Sequence, residues 1–258
     1  RLLHMSIYKI LFSPTGGTQK VVDQLAKAFA KDAQEIDLTS SATDYAAYSF
    51  QADDICFVAV PSFGGRVPAT AVSRLAGMTA HGAKAVLTVV YGNRAYEDTL
   101  LELNDILVNA GFHCVAAVAA VAEHSIMHQF ASGRPNQEDL CELDQFASQI
   151  KTAIEKDAFL DTARLPGSAP YREYHVIPLH PKAGKSCTGC GLCAEKCPVG
   201  AIPASDPSHT NDALCISCMR CVQLCPAQAR TVNRLLLAGA VQKLKKACSE
   251  PKKNELFL

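Results

Sequence analysis

The sequence predicts a doubly wound α/β domain with a five-stranded parallel sheet of order 2-1-3-4-5, followed by a small α+β domain. Three observations predict this. Strand and helix patterns alternate through roughly the first 160 residues, which is typical of a parallel sheet covered on both faces. Three of the predicted strands are nearly continuous apolar runs, as doubly buried strands are. Finally, eight of the 12 cysteines lie between positions 187 and 225, which sets the last third apart.

The elements of the first domain follow from their apolar patterns. The predicted strands are residues 6–12, 34–38, 54–60, 84–90 and 112–121, and the predicted helices are residues 18–31, 68–77, 96–110 and 137–157. In the first helix, apolar residues recur at helical spacing, so that one face can pack on the sheet. A last helix is predicted over residues 232–248, and we expect the basic tail after it to be frayed and solvated.

Composition divides the chain into four segments. We expect a sheet domain over residues 5–160, a linker over residues 161–180, a cysteine-rich domain over residues 181–232, and a C-terminal helix with a basic tail over residues 233–258. The linker contains Pro166, Gly167, Pro170 and Pro178, which interrupt helical and strand patterns.

The charge balance limits the classes of partner. Net charge is zero and the pI is about 7.2, which argues against a nucleic-acid or anionic membrane partner. Residues 1–180 hold 14 Lys and Arg against 20 Asp and Glu, whereas residues 181–258 hold 11 against 5, so the two parts can attract each other. No run approaches the ~20 apolar residues of a membrane helix, and no signal-peptide pattern precedes the first strand. We therefore expect a cytoplasmic protein.

The clustered cysteines form two copies of one motif. They read Cys187-x-x-Cys190-x-x-Cys193-x-x-x-Cys197-Pro198 and Cys215-x-x-Cys218-x-x-Cys221-x-x-x-Cys225-Pro226. A [4Fe–4S] cubane needs four soft thiolates, and two-residue gaps let one loop supply three of them. In two-cluster proteins, the fourth cysteine of each run ligates the other cluster. This assigns Cys187, Cys190, Cys193 and Cys225 to one cluster and Cys215, Cys218, Cys221 and Cys197 to the second.

Two other uses of these cysteines fit the motif less well. A disulfide framework usually needs an oxidising compartment. A four-cysteine zinc site needs only two CxxC halves, which gives no reason for the third and fourth cysteines of each run. Residues 181–232 resemble the bacterial two-cluster ferredoxin family, which implies two [4Fe–4S] clusters in a small α+β fold. The clusters would replace a core too small to be stable alone, so we expect iron removal to unfold this domain.

The two copies differ just after their last cysteine. The first continues Pro198-Val-Gly-Ala201-Ile202, and the second continues Pro226-Ala-Gln-Ala229-Arg230. An arginine in place of isoleucine would bring positive charge or water close to one cluster. Either would raise the reduction potential of that cluster, so we expect the two clusters to have unequal potentials.

The first strand leads into a candidate phosphate loop, Ser13-Pro14-Thr15-Gly16-Gly17-Thr18. Hydroxyls and amide N–H groups at a helix start form an anion site, and glycines let the backbone approach a phosphate. The loop lacks the triphosphate-binding and dinucleotide motifs and contains no cation, which suits a monoester phosphate. An ordinary strand-to-helix turn capped by threonine is the alternative.

Two further loops follow the third and fourth strands, beside the first loop at the topological switch point. They read Pro61-Ser62-Phe63-Gly64-Gly65-Arg66-Val67-Pro68 and Tyr91-Gly92-Asn93-Arg94-Ala95-Tyr96-Glu97-Asp98. Each combines an aromatic side chain with glycine-containing backbone, which suits a planar ring with a polar edge. Together the three loops resemble the flavodoxin family over roughly residues 5–158.

The flavodoxin resemblance implies FMN as a cofactor. Ser13, Thr15, Gly16, Gly17 and Thr18 would hold the phosphate, while Pro61, Ser62, Phe63, Gly64, Gly65, Arg66, Tyr91, Gly92, Asn93, Arg94, Tyr96 and Asp98 are the candidates around the ring. The chain has no Trp, which leaves the stacking residue open among Phe63, Tyr91 and Tyr96. Residues 123–136 are long enough to cover a flavin or to contact a partner, and His124 among them is either a proton donor or a solvated histidine.

Both cofactor types in one chain indicate electron transfer. A flavin exchanges two electrons and a cluster one, so the pair can interconvert one- and two-electron steps. The combination resembles the flavodoxin–ferredoxin fusion proteins of anaerobes, which implies a relay that exchanges electrons with a redox partner protein. The alternative is an FMN-dependent reductase of a small organic acceptor, fed by its own clusters. A redox sensor is a third class, although its usual DNA-binding or receptor segment is not recognisable. No dinucleotide fingerprint supports an NAD(P)H site, and a homodimer is compatible with the sequence.

Overall fold

The computed structural model describes residues 5–175 and 177–258. Its strands are β1 Ile7–Leu11, β2 Gln34–Asp37, β3 Ser49–Gln51, β4 Ile55–Pro61, β5 Thr79–His81, β6 Lys84–Tyr91, β7 His113–Val121, β8 Lys182–Ala183, β9 Arg230–Thr231 and β10 Glu255–Phe257. Its α-helices are α1 Gly17–Ala26, α2 Ala69–Ala76, α3 Thr99–Asn109, α4 Gln137–Glu155, α5 Leu192–Glu195, α6 Arg220–Gln223 and α7 Arg234–Leu244. None of the helices described is long and apolar enough to cross a membrane.

The main sheet has the order β10-β7-β6-β4-β1-β2. Strands β2, β1, β4, β6 and β7 are parallel, which confirms the predicted order 2-1-3-4-5. This is the order of the flavodoxin-like doubly wound fold, in which ligands bind beyond the carboxyl ends of the central strands. The three apolar runs form the centre of the sheet, and β4, β6 and β7 are buried along almost their whole length.

Two apolar cores lie on the two faces of this sheet. Helices α2 and α3 cover one face, where Leu75 and Leu103 are fully buried. Helices α1 and α4 cover the other face, where Leu25 and Leu143 are fully buried. Because both faces are covered, the carboxyl-end loops of β1, β4 and β6 are held in fixed positions relative to one another.

The C-terminal tail differs from the prediction of a frayed segment. Helix α7 ends at Leu244, and β10 then pairs antiparallel with β7 as the sixth strand of the sheet. Buried Asn254 fixes this strand: its Oδ1 accepts from Val121 N at 2.9 Å, and its Nδ2 donates to Glu142 Oε2 at 2.7 Å. The free edge of β7 offers unpaired N–H and C=O groups, and the tail pairs with them.

The cysteine-rich part is a small α+β unit that packs against the sheet domain. Strands β8 and β9 pair antiparallel, and the four-residue helices α5 and α6 carry the cysteine loops. An apolar cluster joins the two parts: Met127 and Phe130 after β7 pack with Met219 and with Leu244 of α7. Polar contacts add to this interface, since Arg74 donates to Pro198 O at 2.7 Å and Arg220 lies 3.7 Å from Asp37.

Candidate functional site

A central cavity opens at the carboxyl ends of β1, β4 and β6, between the sheet domain and the cysteine-rich domain. It encloses about 930 Å³, including space open to solvent. All three predicted loops contribute to its lining: Thr15, Gly17 and Thr18 from the first, Pro61, Ser62, Phe63 and Gly64 from the second, and Tyr91, Gly92 and Arg94 from the third. The structure therefore brings the three loops to one place, as the switch-point argument predicts.

The first loop ends at the N-terminus of α1. Gly16 has φ 88° and caps the helix, a left-handed conformation that favours glycine. Ser13 Oγ accepts a hydrogen bond from Gln19 N at 2.9 Å, so this hydroxyl stabilises the turn. Ser13 and Gly16 shape the loop without lining the cavity, whereas Thr15, Gly17 and Thr18 face it. Free amide groups at a helix start favour an anion there.

The second loop is a tight hairpin. Phe63 and Arg66 exchange two backbone hydrogen bonds of 3.0 and 3.1 Å, and Gly64 and Gly65 between them both have positive φ. This turn needs two left-handed residues, which explains the glycine pair. The Arg66 guanidinium forms two hydrogen bonds to Glu102, at 2.8 and 2.7 Å, and does not line the cavity. Phe63 is left as the aromatic side chain of this loop at the cavity.

The third loop divides between the cavity and the C-terminal tail. Buried Asn93 donates to Cys248 O at 2.9 Å and to Glu250 O at 3.0 Å, and Tyr96 donates to Glu255 at 2.7 Å. These residues, like Asp98 and Gly65 nearby, do not line the cavity. Tyr96 is buried in the core, so Phe63 and Tyr91 are the two members of the predicted aromatic set at the cavity.

Asp98 instead holds the linker. Its carboxylate accepts from Ser168 N at 3.0 Å and from Arg172 N at 2.7 Å, and Arg172 also pairs with Glu97. The linker is thus bound along the start of α3. This course brings Tyr174 and Ile177 to the cavity wall.

Several cavity residues were missing from the predicted ring and phosphate set. They are Val90, Ala95, Ala122, Glu123, His124, Ser125 and Ile126 of the sheet domain, Tyr174 and Ile177 of the linker, Ile216 and Ser217 of the cysteine-rich domain, and Leu244 of α7. The length of the loop over residues 123–136 was a signal for Glu123, His124, Ser125 and Ile126, and Val90, Ala95 and Ala122 lie within or beside the loops already considered. The residues of the linker, the cysteine-rich domain and α7 come from segments whose place against the cavity depends on domain docking.

His124 is held in one tautomer by its own loop. Its Nδ1 accepts from Ile126 N and Met127 N, both at 3.2 Å, so the ring proton of the neutral form lies on Nε2. Burial lowers the pKa of His124 to about 4, with nearby His128 and Arg94 adding to the effect. The ring packs against Gly92, where an added Cβ would lie 2.7 Å from it. Glycine at position 92 therefore makes room for a neutral histidine.

Two smaller cavities lie within the cysteine-rich domain, and each is lined by one predicted quartet. Cys187, Cys190, Cys193 and Cys225 line one, and Cys197, Cys215, Cys218 and Cys221 line the other; we call these sets the Cys187 quartet and the Cys215 quartet. The fourth cysteine of each run lies with the three cysteines of the other run. The crossed assignment from the sequence and the arrangement of these side chains agree.

The surroundings of the quartets suit thiolate ligands of a cluster. Ala201 N lies 3.3 Å from Cys197 Sγ, and Ala229 N lies 3.3 Å from Cys225 Sγ, so the repeats place an amide donor on each crossing sulfur. A single zinc ion needs its thiolates about 2.3 Å from one point. In residues 5–175 and 177–258, no three Cys, His, Asp or Glu side chains are arranged to hold one such ion.

Burial makes the thiol form of several cysteines favourable in the absence of a cation. It raises the pKa of Cys218 to about 12 and that of Cys221 to about 11. Iron takes the place of the proton when it binds a thiolate, so the negative charge is compensated where it is buried. Four soft donors around each cavity therefore fit a cubane.

Arg230 lines the cavity of the Cys187 quartet, as its position in the motif predicts. It is 2% exposed, and its guanidinium donates only to uncharged acceptors, among them Thr210 Oγ1 at 2.9 Å and Pro207 O at 2.6 Å. Its Nε has no partner among the described residues. A buried cation without a carboxylate partner is costly, and an anionic cluster would compensate it.

Comparisons with known proteins agree with this division of the chain. Residues 186–230 match the family model of the 4Fe-4S dicluster domain. These residues form a 4Fe-4S dicluster domain. The match covers these residues only, and the sheet domain is characterised by its own strand order.

Solved flavodoxins align with the sheet domain. A Streptococcus pneumoniae TIGR4 flavodoxin is 20% identical, with a TM-score of 0.41, and the match covers 57% of this chain and 99% of that one. A Fusobacterium nucleatum flavodoxin bound to flavin mononucleotide is 15% identical, with a TM-score of 0.39 and coverage of 60% and 99%. Both TM-scores are below 0.5, so the strand order of the sheet, rather than these superpositions, identifies the fold.

Proposed function

We propose that this chain is an electron-transfer flavoprotein that relays single electrons between two [4Fe–4S] clusters and FMN and exchanges them with a redox partner protein. One observation carries the proposal. Ile216, between two cysteines of the Cys215 quartet, lines both the cavity of that quartet and the central cavity. A cluster site and a candidate flavin site therefore share a wall within one chain.

The residues of the central cavity fit FMN. Thr15, Gly17 and Thr18 offer hydroxyl and amide donors to a phosphate at the start of α1. Phe63 and Tyr91 offer aromatic surface to a planar ring, and Arg94 lies at the same cavity. FMN, when bound, would accept two electrons in single-electron steps. Ile216 and Ser217 of the dicluster domain form part of the wall of this cavity.

The two quartets would each hold one cubane, with Cys197 and Cys225 as the crossing ligands. Each cubane carries one electron at a time. The crossing ligands tie the two halves of the domain together, so the clusters also stabilise its fold. Electrons from a partner protein would enter at a cluster, because residues of the linker and the dicluster domain line part of the central cavity and limit the access of another protein to it.

The central cavity also favours a second function, the FMN-dependent reduction of a small organic acceptor. Tyr174, Ile177 and Leu244, from outside the sheet domain, add to its lining, as the wall of a substrate site does. His124 holds its proton on Nε2 at neutral pH and lies at this cavity, where it could donate a hydrogen bond to an acceptor. In this case the clusters would feed the flavin and the organic molecule would remove electron pairs from it.

Anaerobic purification with counts of iron, acid-labile sulfide and flavin tests the proposal. Two cubanes and one flavin require about eight iron atoms and one FMN per chain. Zinc in place of iron, or a colourless protein, would rule the proposal out. Mixing the reduced protein with quinones, nitroaromatics and activated alkenes separates the two functions. Only a reductase should reduce one of these classes of acceptor selectively and with repeated turnover.

A further inference from the structure

We propose that the two clusters have fixed and different places in the relay: the cluster of the Cys215 quartet exchanges electrons directly with the flavin, and that of the Cys187 quartet receives them from the partner protein. This inference rests on the proposed function. The sequence repeat treats the two quartets alike, so the assignment comes from what surrounds each one.

The side chains that distinguish the loop between Cys215 and Cys221 from its repeat contact the sheet domain or the linker. Ile216, Ser217, Met219 and Arg220 stand where the first repeat has Thr188, Gly189, Gly191 and Leu192. Ile216 lines the central cavity, and Ser217 Oγ donates to Ile177 O at 2.7 Å. Met219 packs in the apolar cluster with Ile126 and Met127, and Arg220 faces Asp37.

The backbone shows that these contacts were kept at a conformational cost. Gly189 and Gly191 have φ 70° and 79°, and their counterparts Ser217 and Met219 have φ 52° and 62°. The left-handed region favours glycine, so a residue with a side chain is strained there. The second loop has such residues at two positions, and both side chains touch the sheet domain or the linker.

The linker contributes a further contact on the same side. Tyr174 lines the central cavity, and Ile177 of the same segment accepts the hydrogen bond of Ser217 Oγ next to Cys218. The linker therefore reaches from the cavity to the loop of the Cys215 quartet.

The Cys187 quartet lies away from the central cavity. The residues that line its own cavity come from the dicluster domain, and none of them lines the central cavity. Cys190 and the neighbouring Thr188 and Gly189 are exposed. A partner protein can therefore approach this cluster, while the other is covered by the sheet domain. The exposed position of the Cys187 quartet suits electron exchange with a partner protein. The covered position of the Cys215 quartet suits electron transfer to the flavin.

Electrons balance in this arrangement with a low-potential one-electron donor protein as the reductant. The donor would lose one electron to a cluster held by the Cys187 quartet, and the Cys215 quartet would hold the cluster through which that electron reaches the flavin. A second electron by the same route, with two protons from solvent, would complete the two-electron reduction of the flavin. No other oxidant or reductant takes part.

Loss of one cluster at a time tests this order in the otherwise intact holoprotein. Cys190→Ser and Cys218→Ser would be prepared anaerobically, their remaining iron and FMN counted, and FMN reduction by photogenerated methyl viologen radical followed by absorbance. This donor is small enough to reach either cluster, because Cys197 and Cys215 are only partly buried, so it bypasses the partner-facing site. We therefore expect the cluster-dependent phase of FMN reduction to be kept in Cys190→Ser and lost in Cys218→Ser. The reverse pattern, or equal effects, would overturn the order.

A second pair of variants keeps the test decisive if a ligand change unfolds the domain. Ile216→Thr and Thr188→Ile exchange the equivalent residues of the two repeats and leave every ligand in place. We expect the dissociation constant of FMN to rise roughly tenfold in Ile216→Thr, because apolar contact at the cavity is lost. The dissociation constant should stay unchanged in Thr188→Ile. Equal FMN affinities in both would contradict the inference, whereas wild-type protein without FMN or iron would refute the proposed function itself.

Discussion

At the scale of single residues, Arg230 shows how one position can distinguish two otherwise similar sites. Its charge is buried at the Cys187 quartet with no carboxylate partner. Arg220 lines the other quartet's cavity, but it is less buried and faces Asp37 at 3.7 Å. The positive charge of Arg220 is therefore partly balanced by Asp37, whereas that of Arg230 has no carboxylate beside it. This difference supports the expectation that the two clusters have unequal reduction potentials.

We expect Arg230→Gln to lower the reduction potential of the Cys187 cluster. Removing a buried charge interaction of about 1.4 kcal/mol corresponds to about 60 mV for one electron. Arg230 lines the cavity of the Cys187 quartet and not that of the Cys215 quartet, so we expect the potential of the second cluster to change by less. A redox titration followed by electron paramagnetic resonance measures both potentials. Arg220→Gln is the matched control. A larger shift in the reduction potential of the Cys187 cluster in Arg220→Gln than in Arg230→Gln would contradict this account.

His124 predicts how stability depends on pH. Its pKa is lowered to about 4 in the folded protein from an ordinary value of 6.5, mainly by burial. Between these values the unfolded chain binds the extra proton, so the free energy of unfolding falls as pH falls from about 6.5, by at most about 1.4 kcal/mol per pH unit. Urea denaturation between pH 6.5 and 5 measures this slope, above the range in which carboxylates titrate.

The variant His124→Asn isolates this contribution. Asparagine keeps an acceptor for the amide groups of Ile126 and Met127 but carries no titrating ring. We expect a flatter dependence on pH in this variant, and the wild-type slope in His81→Gln, whose side chain is exposed. A wild-type slope that persists in His124→Asn would show that another group is responsible.

At the scale of elements, the five parallel strands could be predicted because each signals itself locally. Runs such as β6 and β7 are apolar along their length, which only a doubly buried strand tolerates. β10 is different: Glu255–Phe257 has three residues and follows a lysine-rich segment. Its pairing depends on the edge of β7, more than 130 residues away in the chain, and no local pattern reveals such an edge.

The tail strand gives a stability prediction. Asn254 is buried and bonded to Val121, Asp139 and Glu142. Asn254→Ala leaves the buried Val121 N–H without its acceptor, which costs about 1–3 kcal/mol in the free energy of unfolding. Chemical denaturation of the holoprotein measures the change. Lys253→Ala, an exposed neighbour, should be nearly neutral, and equal effects of the two changes would mean that the tail strand contributes little.

At the scale of the whole molecule, the separate sites were predictable but their arrangement was not. Spacing alone identified both cysteine quartets, since cluster ligands must follow a fixed pattern along the chain. The wall formed by Tyr174, Ile216 and Leu244 comes from three segments that meet only when the domains dock. Opposite net charges of the two parts suggested docking but could not say which faces meet.

Docking predicts that loss of the clusters affects the flavin site. If chelation of iron unfolds the dicluster domain, Ile216 and Ser217 leave the cavity wall and FMN is held by the sheet domain alone. We expect FMN to bind more weakly to the iron-free protein, measured by recovery of free-flavin fluorescence. Cluster reconstitution should restore the affinity. Unchanged FMN affinity after complete iron removal would show that the sheet domain forms the site without its neighbour.

The central claim is that one chain joins a flavin and two clusters in electronic contact. An anaerobic reductive titration that follows flavin and cluster absorbance in the same sample tests it most directly. Two electrons for the flavin and one for each cluster predict uptake of about four electrons per chain, with all three centres reoxidised by a single added acceptor. Uptake confined to the flavin or to the clusters would contradict the account.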